Sequence, residues 1–170
     1  MFGNQPKIDI KPNEFDRKLI LVGWILVALN FILALSFYSG LPDTIPTHFN
    51  LKGEADGFGN KSTLWLVPFF NLITYFGMTM LATKMKPWNY NYPTKVTEKN
   101  APKLYAMSIR MLVWLNLGIA FIFLVISLNS ILLAKEVTNF SIGWLIIVLV
   151  AVITIRPFVS IFKMFKVPKS

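Results

Sequence analysis

The sequence predicts an all-α membrane protein: a four-transmembrane-helix bundle with both termini in the cytoplasm and an ordered, non-helical extracytoplasmic loop. Three observations predict it. Four long apolar runs divide the chain, its lysines and arginines alternate between connections, and the first connection is dense in Pro, Gly and Asn. Hydrophobic residues make up 55% of the 170 and aromatics 15%, more than a water-soluble domain of this size carries.

The runs are LILVGWILVALNFILALSFYSG (19–40), TLWLVPFFNLITYFGMTMLAT (63–83), MLVWLNLGIAFIFLVISLNSILLA (111–134) and FSIGWLIIVLVAVITI (140–155), the last continuing to 162. A helix rises about 1.5 Å per residue, so about 20 apolar residues cross a hydrocarbon core of about 30 Å. In lipid each backbone N–H and C=O must be bonded within its own segment, which an isolated apolar run achieves only as a helix. The first run reads as a signal anchor: its polar lead holds acids as well as bases, and the run outlasts a cleaved signal's about 7–15 apolar residues. The chain has no cysteine, which excludes disulfides, thiolate chemistry and Cys-ligated metals.

Charge sets the expected orientation. The net charge is +9, and fourteen of the seventeen basic residues fall in 1–18, 84–110 and 156–170, against three (Lys52, Lys61, Lys135) in the other connections. That alternation is the positive-inside pattern, so the basic balance reports topology and excludes nucleic acid as its explanation. The expected layout is an outer loop at 41–62, a basic inner loop at 84–110 that offers a surface to a cytoplasmic partner, an outer turn at 135–139 and a cytoplasmic tail at 163–170. Tail residues FKMFKVPKS suit the inner leaflet, and membrane lipids are the implied partners throughout.

The connections carry their own punctuation. Pro42 and Pro46 bias their predecessors toward extended backbone, and Asp56-Gly57 reads as a turn. Asn100 reads as an N-cap, with Ala101 and Pro102 in the first turn of a cytoplasmic helix leading to the third span. Pro68 predicts a kink in the second helix.

The outer loop concentrates the chain's chemistry, including its single histidine. Three readings compete. His48 with Asp43, Glu54 or Asp56 offers imidazole and carboxylate to a metal such as zinc, with His48, Glu54 and Asp56 as the set named for that alternative, although no pair has helical metal-box spacing. Alternatively His48 is a general base near Thr47, Ser62 and Thr63, without a recognised triad spacing. In the third reading, the one favoured, no metal or cofactor is needed: His48 and Asn50 bond turn backbone, Gly53, Gly57 and Gly59 supply positive φ, and Asp56 and Lys61 pin the loop to the bundle.

The stretch LPDTIPTHFNLKGEADGFGNKSTLWLVP resembles the signature of a bacterial membrane domain of unknown function shared with SdpI-type immunity proteins. Matching positions are Leu41, Pro42, Asp43, Ile45, Pro46, His48, Phe49, Asn50, Gly53, Asp56, Gly57, Gly59, Lys61 and Pro68, and NYPTKVTEKNAPKLY is similar as well. The resemblance implies a multi-pass protein of the bacterial inner membrane. For the SdpI branch it implies immunity to a secreted toxic peptide, coupled to signalling through a cytoplasmic repressor. The second module of that branch carries a glycine-arginine-threonine signature, which does not occur between Met111 and Ser170.

Asn30, Asn71 and Asn116 fall near mid-depth of the first three spans. A carboxamide facing lipid tails has no partner, so each is expected to turn inward as helix–helix glue at about 0.6 kcal/mol per bond, or to line a polar pathway. The reading adopted is a non-enzymatic membrane protein whose outer loop senses, or confers resistance to, an extracytoplasmic peptide or envelope molecule. The rivals are a transporter or channel subunit working as a homo-oligomer around the three asparagines, and a metal-dependent membrane hydrolase centred on His48.

Overall fold

Asn13 starts the first helix: its Oδ1 accepts from the Asp16 N–H at 2.9 Å while Asp16 Oδ2 accepts from the Asn13 N–H at 3.1 Å, a reciprocal capping box. The computed structural model describes residues 5–50, 52, 54–136 and 142–168. Four helices dominate it: α1 (Glu14–Tyr38), α2 (Leu66–Lys84), α3 (Ala101–Ala134) and α4 (Gly143–Phe165). Each, with a preceding 3-10 turn at Lys61–Trp65 counted into the second, is long and apolar enough to cross a membrane. Between α1 and α2 the chain forms an antiparallel pair of strands, β1 (Thr44–Phe49) and β2 (Ala55–Asn60). The all-α expectation is corrected by this one small sheet.

Boundaries shift for physical reasons. α1 begins before position 19 because the cap at Asn13 draws a charged turn into the helix. α3 is one helix from Ala101, about 51 Å long at 1.5 Å per residue, and so outlasts the about 30 Å of a hydrocarbon core. Pro102 lies in its first turn, where a missing N–H does little harm. Asn100 does not cap through its side chain; its Nδ2 donates to the Lys95 and Pro168 carbonyls, both at 3.1 Å. Pro68 is the third residue of α2, at the change from 3-10 to α geometry, so no bond in the helix interior is lost. The expected outer turn at 135–139 and the start of the fourth span fall largely outside the described residues.

α3 is the hub: α1, α2 and α4 each pack along it. Its buried stripe includes Leu104, Ser108, Val113, Asn116 and Ala120. Gly118 lets α4 approach closely, since a Cβ there would come within 2.6 Å of the Ile153 side chain. Leu21, Ile25, Ile32 and Leu35 of α1, Phe69, Ile73 and Phe76 of α2, and Val152, Ile155 and Phe162 of α4 all face outward and exposed. So continuous an apolar surface is costly in water and costless in lipid.

The end of the bundle at which α3 begins and α4 finishes has a core of its own. Ala101, Leu104, Tyr105, Met164 and Val167 pack there with Ile8, Trp88 and Tyr92 around them. Tyr105 donates to the Pro6 carbonyl at 2.8 Å, and the Tyr92 hydroxyl lies 3.0 Å from both the Pro87 carbonyl and Ser108 Oγ. The tyrosines between α2 and α3 thus turn toward the protein. Burial raises the hydroxyl pKa of Tyr92, and likewise that of Tyr90. The folded form therefore keeps these protons after the unfolded chain has lost them near pH 10, so their stabilisation is complete below about pH 10 and is lost as pH climbs through the folded values. Thermal melts of detergent-solubilised protein should fall above about pH 10, with Tyr92→Phe flattening that slope; an unaltered slope in the variant would assign the fall to other groups.

Candidate functional site

The hairpin is fastened to the bundle by apolar side chains on one face. Leu41, Ile45 and Leu64 are buried against Ala34 of α1 and Ile131 of α3, with Leu33 and Trp65 beside them. Pro46 is buried next to Ile45, whereas Pro42 and Asp43 lie exposed where the chain leaves α1. Lys61 closes the base: its Nζ lies 3.1 Å from Asp43 Oδ1, donates to the Leu41 carbonyl at 3.4 Å and sits 5.7 Å from the Tyr38 ring centre. The lysine thus joins the base of the loop to the end of α1.

The turn is built by Asn50, not by Asp56-Gly57. Asn50 Oδ1 accepts from the Lys52 and Glu54 N–H groups at 2.8 and 3.0 Å, its Nδ2 donates to Glu54 Oε2 at 2.9 Å, and its own N–H donates to the Glu54 carbonyl. Asp56 and Gly57 lie within β2 instead. Pairing runs Pro46↔Phe58, His48↔Gly57 and Phe49↔Ala55, which leaves Thr47 and Asp56 as extra residues on opposite strands. Such bulges re-aim side chains, and here His48 Nδ1 meets Asp56 Oδ1 at 2.5 Å. Two expectations are thereby corrected: His48 bonds a carboxylate rather than turn backbone, and Asp56 holds the hairpin to itself rather than to the bundle.

The glycines act through space. Neither Gly57 nor Gly59 has left-handed backbone; a Cβ at Gly57 would come within 2.8 Å of His48 Cβ, and one at Gly59 within 3.1 Å of Thr47 Cγ2. Gly53 lies outside the described residues. The result is a small platform on which His48, Asp56 and Phe58 stand exposed, Phe58 at 64%, while Phe49 is half-buried. Glu54 is turned to Asn50, and among the described residues no three His, Asp or Glu side chains converge to hold a metal ion. The hydrolase reading therefore lacks its ligand set there. Thr63 Oγ1 donates to the Asn60 carbonyl at 2.7 Å.

Inside the bundle the three asparagines are buried. Asn71 Nδ2 donates to the Ala120 carbonyl at 3.4 Å, and Asn116 Nδ2 donates to the Tyr75 carbonyl and Thr79 Oγ1 at 3.1 and 3.0 Å, so both join α2 to α3. Asn30 differs: neither atom of its carboxamide has a partner among the described residues. A contact that spacing had no means of showing is the pair Asp16–Arg110, which joins the start of α1 to α3.

With that geometry in place, one family match falls on the platform and parts of its two flanking helices. Residues 25–72 match the family described as "Domain of unknown function (DUF1648)". The matched stretch takes in most of α1, the whole hairpin and the start of α2. A 55-residue stretch is 40% identical to a protein of Archaeoglobus fulgidus described as "Uncharacterized protein", covering 32% of this chain and 30% of that one. The chain thus matches under a third of that relative's length. No solved structure matches it.

Proposed function

We propose that this is a non-enzymatic, multi-pass membrane protein, termini inside, whose hairpin stands on the outer surface and binds an extracytoplasmic peptide. The observation that carries this reading is the exposed platform of His48, Asp56 and Phe58 on a sheet of only two strands. β1 rests on α3 as well as on β2, whereas β2 is held mainly through β1. A strand so placed has backbone N–H and C=O groups unclaimed along its far edge, and an extended peptide adds to such an edge with side-chain pockets for specificity. The Phe58 ring and the His48–Asp56 pair supply an apolar and a polar contact beside that edge. The resemblance of the loop to SdpI-type proteins supports a role in sensing, or resisting, a toxic or envelope-active peptide.

The test is a cell-sensitivity assay. Cells carrying His48→Ala/Asn50→Ala/Asp56→Ala in place of the native chain, challenged with envelope-active peptides, should become as sensitive as cells lacking the gene. A clear deletion phenotype that the triple variant does not share would overturn the reading. One observation favours a second reading, a homo-oligomeric transporter: the unpartnered Asn30 carboxamide, buried between helices. Reconstituted protein that is monomeric and passes no solute would remove it.

A further inference from the structure

Arg156 is the only charged residue of α4 before Lys163, and α3 and α4 contain no Asp or Glu. Its guanidinium lies 4.2 Å from the ring centre of Trp114 on α3. Trp114 in turn meets Phe15 at a tilt of 49° with 6.4 Å between ring centres, and Arg110 sits 5.0 Å from the Phe15 ring while pairing with Asp16. The ladder Arg110–Phe15–Trp114–Arg156 therefore carries two cations and one acid. Asp16 is spent on Arg110, Glu14 is paired with Lys18 at 2.9 Å, and Arg156 has no ion pair among the described residues. Cation–π stacking covers one face of the guanidinium and leaves its rim of N–H donors open.

Arg156 stands at one end of an apolar groove of about 430 Å³ between α1, α3 and α4, walled by Leu26, Gly118, Phe121, Leu149 and Ile153. A cation within an apolar helix needs a counter-charge, and among the described residues none is supplied, whereas an anionic membrane offers one. We propose that this groove holds an acyl chain of an anionic phospholipid, with Arg156 gripping the lipid phosphate through its planar fork. A guanidinium matches phosphate oxygens two at a time, which a lone ammonium does not. Pro157, also in the groove wall, removes one backbone N–H beside the arginine.

The test uses the full chain in mixed micelles with phosphatidylglycerol or phosphatidylcholine brominated on the acyl chains, read as quenching of tryptophan fluorescence. Contact with Trp114 makes the quenching local, so Trp114→Phe should remove most of the saturable component. The native chain should bind the anionic lipid about tenfold more tightly than the zwitterionic one, as one charge-assisted contact predicts. Arg156→Gln should bring that ratio to near one, Arg156→Lys should reduce it several-fold, and Lys163→Gln should preserve it. Equal affinities in the native chain, a ratio kept by Arg156→Gln, or a ratio lost equally in Lys163→Gln would overturn the proposal. So would displacement of the lipid by inorganic phosphate, which would make the site one for the free anion. If Arg156→Gln does not fold, Arg156→Lys decides: a reduced ratio supports the grip and an unchanged one refutes it.

Discussion

Replacing Arg110 by Met is expected to cost about 3–5 kcal/mol of stability in detergent, because it strips the partner from a buried carboxylate. Asp16 is 4% exposed, and its Oδ1 faces the Arg110 Nε while Oδ2 accepts the Asn13 N–H. Without the arginine, one backbone donor remains for a charge that water no longer reaches. The same loss uncovers the Phe15 ring and frees the start of α1 from α3. Ion pairs held away from water gain little over a well-packed neutral pair, yet losing one partner is expensive. The double variant Asp16→Asn/Arg110→Met should therefore recover most of the loss, with Asn13 still capping the helix. Equilibrium unfolding followed by tryptophan fluorescence distinguishes the outcomes. A double variant no more stable than Arg110→Met would show that the arginine acts by packing, not by charge.

How far such features are legible in the sequence depends on how local their cause is. The four helices follow from apolar runs whose length alone decides between burial and a span. The beginning of α3 does not, since hydropathy marks lipid depth and a helix continues wherever its backbone bonds are satisfied; the sign was Asn100-Ala101-Pro102, which locates the helix start rather than the membrane boundary. The strands escaped because only Ile45 and Pro46 of β1 are buried, too short an alternation to stand out against the glycines and acids around it. Asp56-Gly57 has the composition of a turn, but Asn50 outcompetes it by bonding two backbone N–H groups and the Glu54 side chain at once. Asp16–Arg110 spans 94 positions, and the Arg156–Trp114 stack joins two helices, so no spacing rule reaches either. His48 and Asp56 were grouped in the sequence as candidate metal ligands, but not as a hydrogen-bonded pair, because the bulges that bring them together depend on the register of the finished hairpin.

Valine at Gly23 should destabilise the bundle by about 3 kcal/mol, the upper end of what overpacking a core costs. Any Cβ at that position lands on the phenol of Tyr75, which crosses from α2 to fill the space beside α1. The ring has nowhere to retreat. Tyr75 is 1% exposed, packs among Val27 and Ala120, meets the Trp24 ring edge-on at 5.0 Å and donates to the Ile20 carbonyl at 2.8 Å. Tyr75→Ala on its own should cost about 3–5 kcal/mol by leaving a cavity at the joint of three helices. The two changes share one volume, so Gly23→Val/Tyr75→Ala should cost at least about 1 kcal/mol less than their sum. Unfolding the four proteins in the same detergent measures that coupling. Additive losses would mean that α1 moves away as a body rather than meeting the tyrosine. Because Ala34, about three turns further along the same face of the helix, anchors Leu41 and Ile45 of the hairpin, such a movement would carry the exposed platform with it and would be read as lost peptide resistance in cells as well as lost stability in detergent.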